Sequence, residues 1–462
     1  MAVDIVIKHG RVVTAKGTFS AGIAIDKEKI VAITKDEFLP PAERTIDATG
    51  NYVLPGLIDA HVHWGLGMSF AQGCVTETKA AALGGVTTVG LFSMFLTTPQ
   101  KGLEELFEDW RKDFEANAVT DGLLHRVLVN DLALKEIPKC MDLGIASFKF
   151  LMGYKGSQSA TMGVPLEGIV DGFVFEAFKI IADMAWPARA MVHAENIDIS
   201  MRLRKGLEHR QDARVWHDSR PNFVEEECIN RAIFLAKIAG CPLYVVHNTI
   251  AESVDIFAKA KSEATDVIAE TCPQYLTHNS EHPVPLLKEN PVLSVTNPPL
   301  RGKRDNERLW EGIRQGVIDT IGSDHAPHTR QAKGNDVWQT LPGAGNLTQM
   351  ILPVMLSEGV NKNRISLEKL VEVCCQNPAK SFGLYPKKGT LIAGSDADIV
   401  IVDLDKKVKW TAELSPSVCD WSIYEGWEFK GWPVLTILRG NITAEEGAIL
   451  GTPGVGRYCP RK

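Results

Sequence analysis

The sequence predicts an α/β protein: a (β/α)8 TIM barrel carrying a small β-sandwich domain built from both chain termini. Three observations predict it. Strand-like apolar runs alternate with helical patterns through the middle of the chain. Strand-rich stretches of like character flank that region on both sides. At 462 residues the chain exceeds one ordinary domain yet suits a large barrel with a satellite.

Residues 1–53 read as short strands with turn punctuation in DIVIKHGRVV, AGIAIDKEKIVAI and RTIDATGNYVLP. The barrel is expected over 54–384, with strands at GLIDAHVH (56–63), VTTVGLF (86–92), LHRVLVN (124–130), SFKFL (147–151), AMVHAE (190–195), LYVVHN (243–248), VIAETCP (267–273) and VIDTIGSDH (317–325). These runs are apolar throughout because both faces of a barrel strand are buried. Helical patterns such as KGLEELFEDWRKDFEANA and CINRAIFLAKIAG lie between them. Residues 385–462 return to strands in GTLIAGSDADIVIVDLD and VLTILRGNITAEEGAIL, then a C-terminal tail. Together with 1–53 they would form the sandwich.

Composition narrows the function. A formal net charge of −7 without a basic tail or stripe argues against nucleic acid and against a membrane surface as partner. No apolar run is long enough to span a bilayer, and the N-terminus does not resemble a secretory signal. Nine cysteines without a CxxC pair point to a reducing, cytoplasmic setting. Any metal must then rest on histidine and carboxylate ligands.

A barrel places its chemistry at the C-terminal ends of its strands. There the sequence puts His61 and His63, with Asp59 on the same strand face, and then Lys149, His193, His247 and Asp324. Singly, each has an ordinary reading: a hydrogen-bonded histidine, a helix-capping aspartate, a lysine reaching for solvent. Jointly, those readings would have to coincide at one rim. Lys149 stands in the apolar run SFKFL, where an unpaired ammonium should lose its proton. A neutral amine can add carbon dioxide, and the resulting N6-carboxylated Lys149 could bridge two divalent metal ions. Imidazole and oxygen ligands suit Zn2+ best, with manganese and cobalt as alternatives. Such a pair generates hydroxide at neutral pH and polarises a carbonyl.

PGLIDAHVH, GGVTTV, SFKFLMGYKG, VHAEN, HDSRP, TCPQYL, NPPLR, GSDHAPH and NPAKSFGLYPKKGTLIAGSDADIVIVDLD follow one another along nearly the whole chain. This ordered set resembles the cyclic amidohydrolases of the hydantoinase, dihydropyrimidinase and allantoinase group. The resemblance implies that His61 and His63 bind the more buried metal with Asp324, that His193 and His247 bind the second, and that Lys149 bridges. It also implies proton transfer by Asp324, oxyanion support by Tyr154, and backbone groups near Asn297 and Gly343 that hold the cyclic amide. Asn297 replaces the serine frequent in relatives, and the Asn-Gly often found near Gly343 is missing. Family members are commonly tetramers or dimers, so a homo-oligomer is expected.

HVHWGLGM lacks the arginine of dihydroorotase-like members and the Glu-Pro-Gly turn of allantoinase-like ones. Trp64, Leu66, Met68, Phe150 and Met152 instead offer an apolar lining for a bulky substituent. GVNKNRISLEKLVEVCCQNPAKSFGLYPKKG looks most like bacterial hydantoinases, particularly those acting on substituted L-hydantoins. The expected reaction is opening of a hydantoin or dihydropyrimidine-type cyclic ureide to an N-carbamoyl amino acid. Alternatives are an allantoinase, a cyclic imide hydrolase, or a dihydropyrimidinase-like scaffold without catalysis.

Overall fold

The computed structural model describes residues 2–65, 68–93, 101–156, 159, 164–281 and 289–461. Eight parallel strands lie side by side in chain order: β1 (Leu57–Val62), β2 (Val86–Ser93), β3 (Asp121–Val127), β4 (Ser147–Leu151), β5 (Arg189–His193), β6 (Leu243–Val245), β7 (Val267–Thr271) and β8 (Thr320–Ile321). Each falls within or overlaps one of the apolar runs. The first and last close on each other. His63 N donates to His325 O at 2.7 Å, Ser323 N to Asp59 Oδ1 at 2.9 Å, and Ser323 Oγ to His61 O at 3.1 Å. Asp59 thus serves the seam of the barrel.

Strands β6 and β8 are shorter than the runs suggested. The chain leaves extended geometry before its polar residues arrive, with His247 at φ 42° and Asp324 at φ 53°. Non-glycine residues adopt this left-handed region rarely and at an energetic cost, so the surrounding structure must hold them there.

Among the helices, α1 (Phe70–Leu83) is capped by Ser69, whose hydroxyl accepts from Gln72 N at 3.2 Å. Helix α2 (Leu103–Asn117) buries Leu103, Phe107, Trp110 and Phe114, a stripe of helical period. Phe114 fits because residue 122 is glycine: a Cβ there would lie 2.3 Å from its ring. Two further helices matter below: α3 (Ile197–Arg204) follows β5, and α4 (Asn222–Ala239) ends at Gly240 in the left-handed conformation.

The sandwich has a four-stranded sheet ordered 29–34, 22–26, 3–8, 42–47 and a seven-stranded sheet ordered 448–449, 441–445, 428–438, 399–409, 52–55, 11–14, 17–20. Tyr52–Pro55 therefore sits between an N-terminal and a C-terminal strand. Ile5, Ile7, Ile23, Val53, Ile399 and Ile437 belong to the core between the sheets. Sandwich and barrel are fastened by a buried ion cluster: Lys388 Nζ lies 2.7 Å from Asp121 Oδ2, at the start of β3, and 2.6 Å from Asp398 Oδ2. Arg439 pairs with the other oxygen of Asp121. Farther on, the tail runs beside β3 (Cys459 N to Gly122 O, 2.7 Å) and sends the buried Arg461 to Ser147 Oγ at 2.6 Å. Among the described residues, no helix is long and apolar enough to cross a membrane.

Candidate metal centre

Five strand ends deliver the predicted side chains to one place. His61 Nε2 and His63 Nε2 are 3.1 Å apart, and Asp324 Oδ1 lies 3.1 Å from the first and 3.2 Å from the second. The His247 ring is 5.4 Å from that of His61 and 4.6 Å from that of His193. Lys149 is buried, with Nζ 4.6 Å from the centre of the Phe92 ring and no ion pair to a described residue.

The protonation states suit metal ligation, which needs imidazole lone pairs free. Burial lowers His63 to about 4, and holds His193 and His247 below the usual histidine range. His61 is the exception: burial opposes its charged form, but Glu270 and Asp324 overcome that and raise it. Burial also lowers Lys149 to about 8, toward a neutral amine, despite the opposing pull of Asp324 and Glu270. Two imidazoles and a carboxylate converging with ligand atoms within 4.8 Å of one another form a donor set that fits a divalent cation.

Behind the ligands stand carboxylates that orient them. Glu270 Oε1 is 2.6 Å from His61 Nδ1 and accepts from His247 N at 3.0 Å, while its Oε2 accepts from Tyr244 at 2.7 Å. Glu195 Oε2 is 2.7 Å from His193 Nε2 and accepts from Arg220 at 3.0 Å. His193 also needs its neighbour to be glycine, since a Cβ on Gly153 would lie 2.3 Å from Nε2.

The comparisons with known proteins agree with this construction. A family model described as "Amidohydrolase family" matches residues 52–443. The L-hydantoinase of Paenarthrobacter aurescens is 38% identical, with 99% of this chain and 98% of that protein covered. This chain belongs to the amidohydrolase family. Within that family it is a member of the hydantoinase/dihydropyrimidinase group. The D-hydantoinase of Ralstonia pickettii is 36% identical over 99% of both chains. The solved L-hydantoinase (dihydropyrimidinase) from Arthrobacter aurescens superposes with a TM-score of 0.90 at 37% identity, covering 99% of this chain and 100% of that one. Amidohydrolase membership implies divalent-metal binding, and the buried His/Asp cluster is where this amidohydrolase offers it.

His63, Lys149, His193, His247 and Asp324 open onto a cavity of about 510 Å³ that Tyr154, Asn297 and Gly343 also line. His61 lies beneath, fully buried. Asn297 Oδ1 accepts from Trp216 Nε1 at 3.0 Å, and its buried side-chain amide lies beside the Tyr154 hydroxyl. Gly343, at φ 119°, donates its N–H to Val295 O at 3.0 Å.

Among the described residues, the apolar lining of the cavity is built from residues other than Trp64, Met68, Phe150 and Met152. Trp64 and Met152 are in the barrel's outer core, Trp64 packed over Gly73 of α1, and Phe150 contacts Phe173 and Phe178. Strand alternation explains this: Lys149 and Leu151 face the cavity, so Phe150 and Met152 face the helices. Met68 packs against the same core, and Leu66 lies outside the described residues. Trp338, Leu341 and Pro342 supply the apolar wall instead. They sit in a loop without periodicity, so no pattern announced them. Glu270 and Glu195 did carry a signal, the one that marked Lys149: a charge within or at the end of an apolar strand run.

Lys333 organises that wall. Its buried amino nitrogen lies 3.0 Å from Val295 O, 2.8 Å from Leu341 O and 2.8 Å from Gly343 O, tying the loop before Asn297 to the loop containing Gly343.

Proposed function

We propose that this amidohydrolase opens hydantoin or dihydropyrimidine-type rings to N-carbamoyl amino acids at a binuclear zinc centre. His61, His63 and Asp324 would hold one ion, His193 and His247 the other, and N6-carboxylated Lys149 both. The single observation that carries this reading is the convergence of six metal-compatible side chains, five on the wall of one cavity and His61 beneath it, one of them a buried lysine without an ion pair among the described residues. Full-length similarity to hydantoinases of both enantiomeric preferences supports the substrate class.

When bound, the metal pair supplies Lewis-acid polarisation of the scissile carbonyl and lowers the pKa of water. The chain's own residues do the rest. Asp324 accepts the proton of the attacking water and returns it to the ring nitrogen as the C–N bond breaks. Burial pushes the Tyr154 phenol well above its ordinary pKa, so its hydroxyl stays protonated and can donate to the developing oxyanion. Asn297 brings a buried amide to the same cavity, beside the Tyr154 hydroxyl and suited to a carbonyl of the ring. The loops that Lys333 ties together would help hold the ring in the cavity.

Nine buried free cysteines support a reducing, cytoplasmic setting. Phe223, Phe234 and Ile238 are exposed on α4, which supports a homo-oligomer with a second copy packed there. Initial rates on both enantiomers of 5-benzylhydantoin, dihydrouracil, allantoin and succinimide, together with metal analysis, test the function. Hydantoin or dihydrouracil turnover by protein holding two divalent ions per chain is expected. Exclusive turnover of allantoin or succinimide overturns the substrate class, and purification without stoichiometric metal or activity favours a scaffold.

A further inference from the structure

Arg204, the last residue of α3, lies on the walls of two cavities: the 510 Å³ cavity of the metal centre and an adjoining one of about 230 Å³. It is the one described residue common to both walls. Its guanidinium carbon is 4.8 Å from the centre of the Trp338 ring, and Nη2 donates to Trp338 O at 3.3 Å. Stacking and one hydrogen bond fix the plane of the fork and leave most of its five N–H donors unused. Among the described residues no carboxylate comes within 4.0 Å of it. Glu208 and Asp336 favour its charge only from farther away.

Its surroundings are basic. The smaller cavity is also lined by Lys155, Lys205 and Arg220, against the one acidic residue Glu208. Lys155 is engaged by Asp198 at 2.7 Å and Arg220 by Glu195 at 3.0 Å. Arg204 is left as a held, half-buried cation between the reaction cavity and a positively lined annex. A planar fork with its partner missing matches a carboxylate, which it can bind through two parallel N–H···O bonds.

We propose that Arg204 is a specificity residue that receives a carboxylate on the exocyclic substituent of the substrate, so that the favoured substrates are hydantoins bearing an acidic side chain. This rests on the reading of the metal centre as a ring-opening site. The ring sits at the metals, its substituent points out past Trp338, and the acid reaches Arg204 at the entrance of the annex.

The test compares 5-(2-carboxyethyl)hydantoin with its neutral isostere 5-(2-carbamoylethyl)hydantoin in the wild-type metal-loaded enzyme, Arg204→Met and Arg204→Lys. Wild type should favour the acid by about tenfold or more in kcat/KM, and Arg204→Met should abolish the preference through KM for the acid alone. Arg204→Lys should keep part of it, since a point charge replaces the fork. Equal losses on both substrates would make Arg204 a mere strap for the Trp338 loop and overturn the proposal, as would a wild type without preference. Calorimetric binding of N-carbamoylglutamate against N-carbamoylglutamine to the same proteins separates the two readings. Tighter binding of the acid, lost in Arg204→Met, supports the receptor even where ring opening fails, and equal binding removes it even where ring opening succeeds.

Discussion

Lys149 owes its chemistry to what is missing around it. It makes no ion pair among the described residues, and desolvation lowers it to about 8 against the more distant pull of Asp324 and Glu270. Lys149→Ala should lose metal and activity together, with partial recovery when short carboxylic acids and metal are supplied; full activity in the untreated variant would refute the bridge. Asp324 sits 3.1–3.2 Å from both HxH imidazoles. Asp324→Asn should lower kcat by roughly 10²-fold or more, well beyond any rise in KM. An unchanged kcat in steady-state assays would remove it from proton transfer. Gly153→Ala is a geometric probe, because its new Cβ would overlap His193 Nε2. It should keep its circular dichroism spectrum yet bind fewer than two metals per chain. The ligand residues were legible in the sequence because each is a polar intrusion in an apolar run. Arg204 and Lys333 were not, since an arginine at a helix end and a lysine in a loop look like ordinary solvated charges.

At the level of elements, regular alternation governs only part of the site. β4 obeys it, which is why Lys149 and Leu151 share the cavity while Phe150 turns to the helices. Applied residue by residue, that rule would have removed Phe150 and Met152 from the expected lining. After β6 and β8 the backbone departs from it, and His247 and Asp324 reach the metal centre from left-handed conformations that no periodic pattern encodes. The loops after Pro291 and after Thr329 are joined by Lys333, which donates to three of their carbonyls, Val295 O accepting from Gly343 N as well. Burial lowers Lys333 to about 7, and hydrogen bonds of this kind contribute about 0.5–1.5 kcal/mol each. Lys333→Met should therefore raise KM several-fold or more with a smaller fall in kcat and an unchanged metal content. Loss of metal with KM untouched would show that the lysine serves the centre and not the loops.

Across the whole molecule, barrel and sandwich meet at charges as well as at apolar surface. Lys388 is fully buried between Asp121 and Asp398; burial opposes its charge, but the two carboxylates prevail and raise its pKa well above the ordinary lysine range. Removing one partner of such a cluster leaves uncompensated charge inside the protein. Lys388→Met should cost about 3–5 kcal/mol in denaturant unfolding, while the surviving folded fraction keeps its metal. A variant as stable as wild type would mean that Asp121 and Asp398 had found other partners. Two strand-rich ends predicted this joint architecture, but the ion cluster itself was invisible, because its members are far apart in the chain and no local pattern pairs them.

The placing of Tyr52–Pro55 between Arg11–Thr14 and Ile399–Lys409 also has a temporal side. During synthesis this strand emerges early, yet one of its edges stays bare until the entire barrel has left the ribosome. For that interval the newborn chain carries an open edge able to pair with a neighbour, so slow translation or crowded polysomes should favour aggregation before birth is complete.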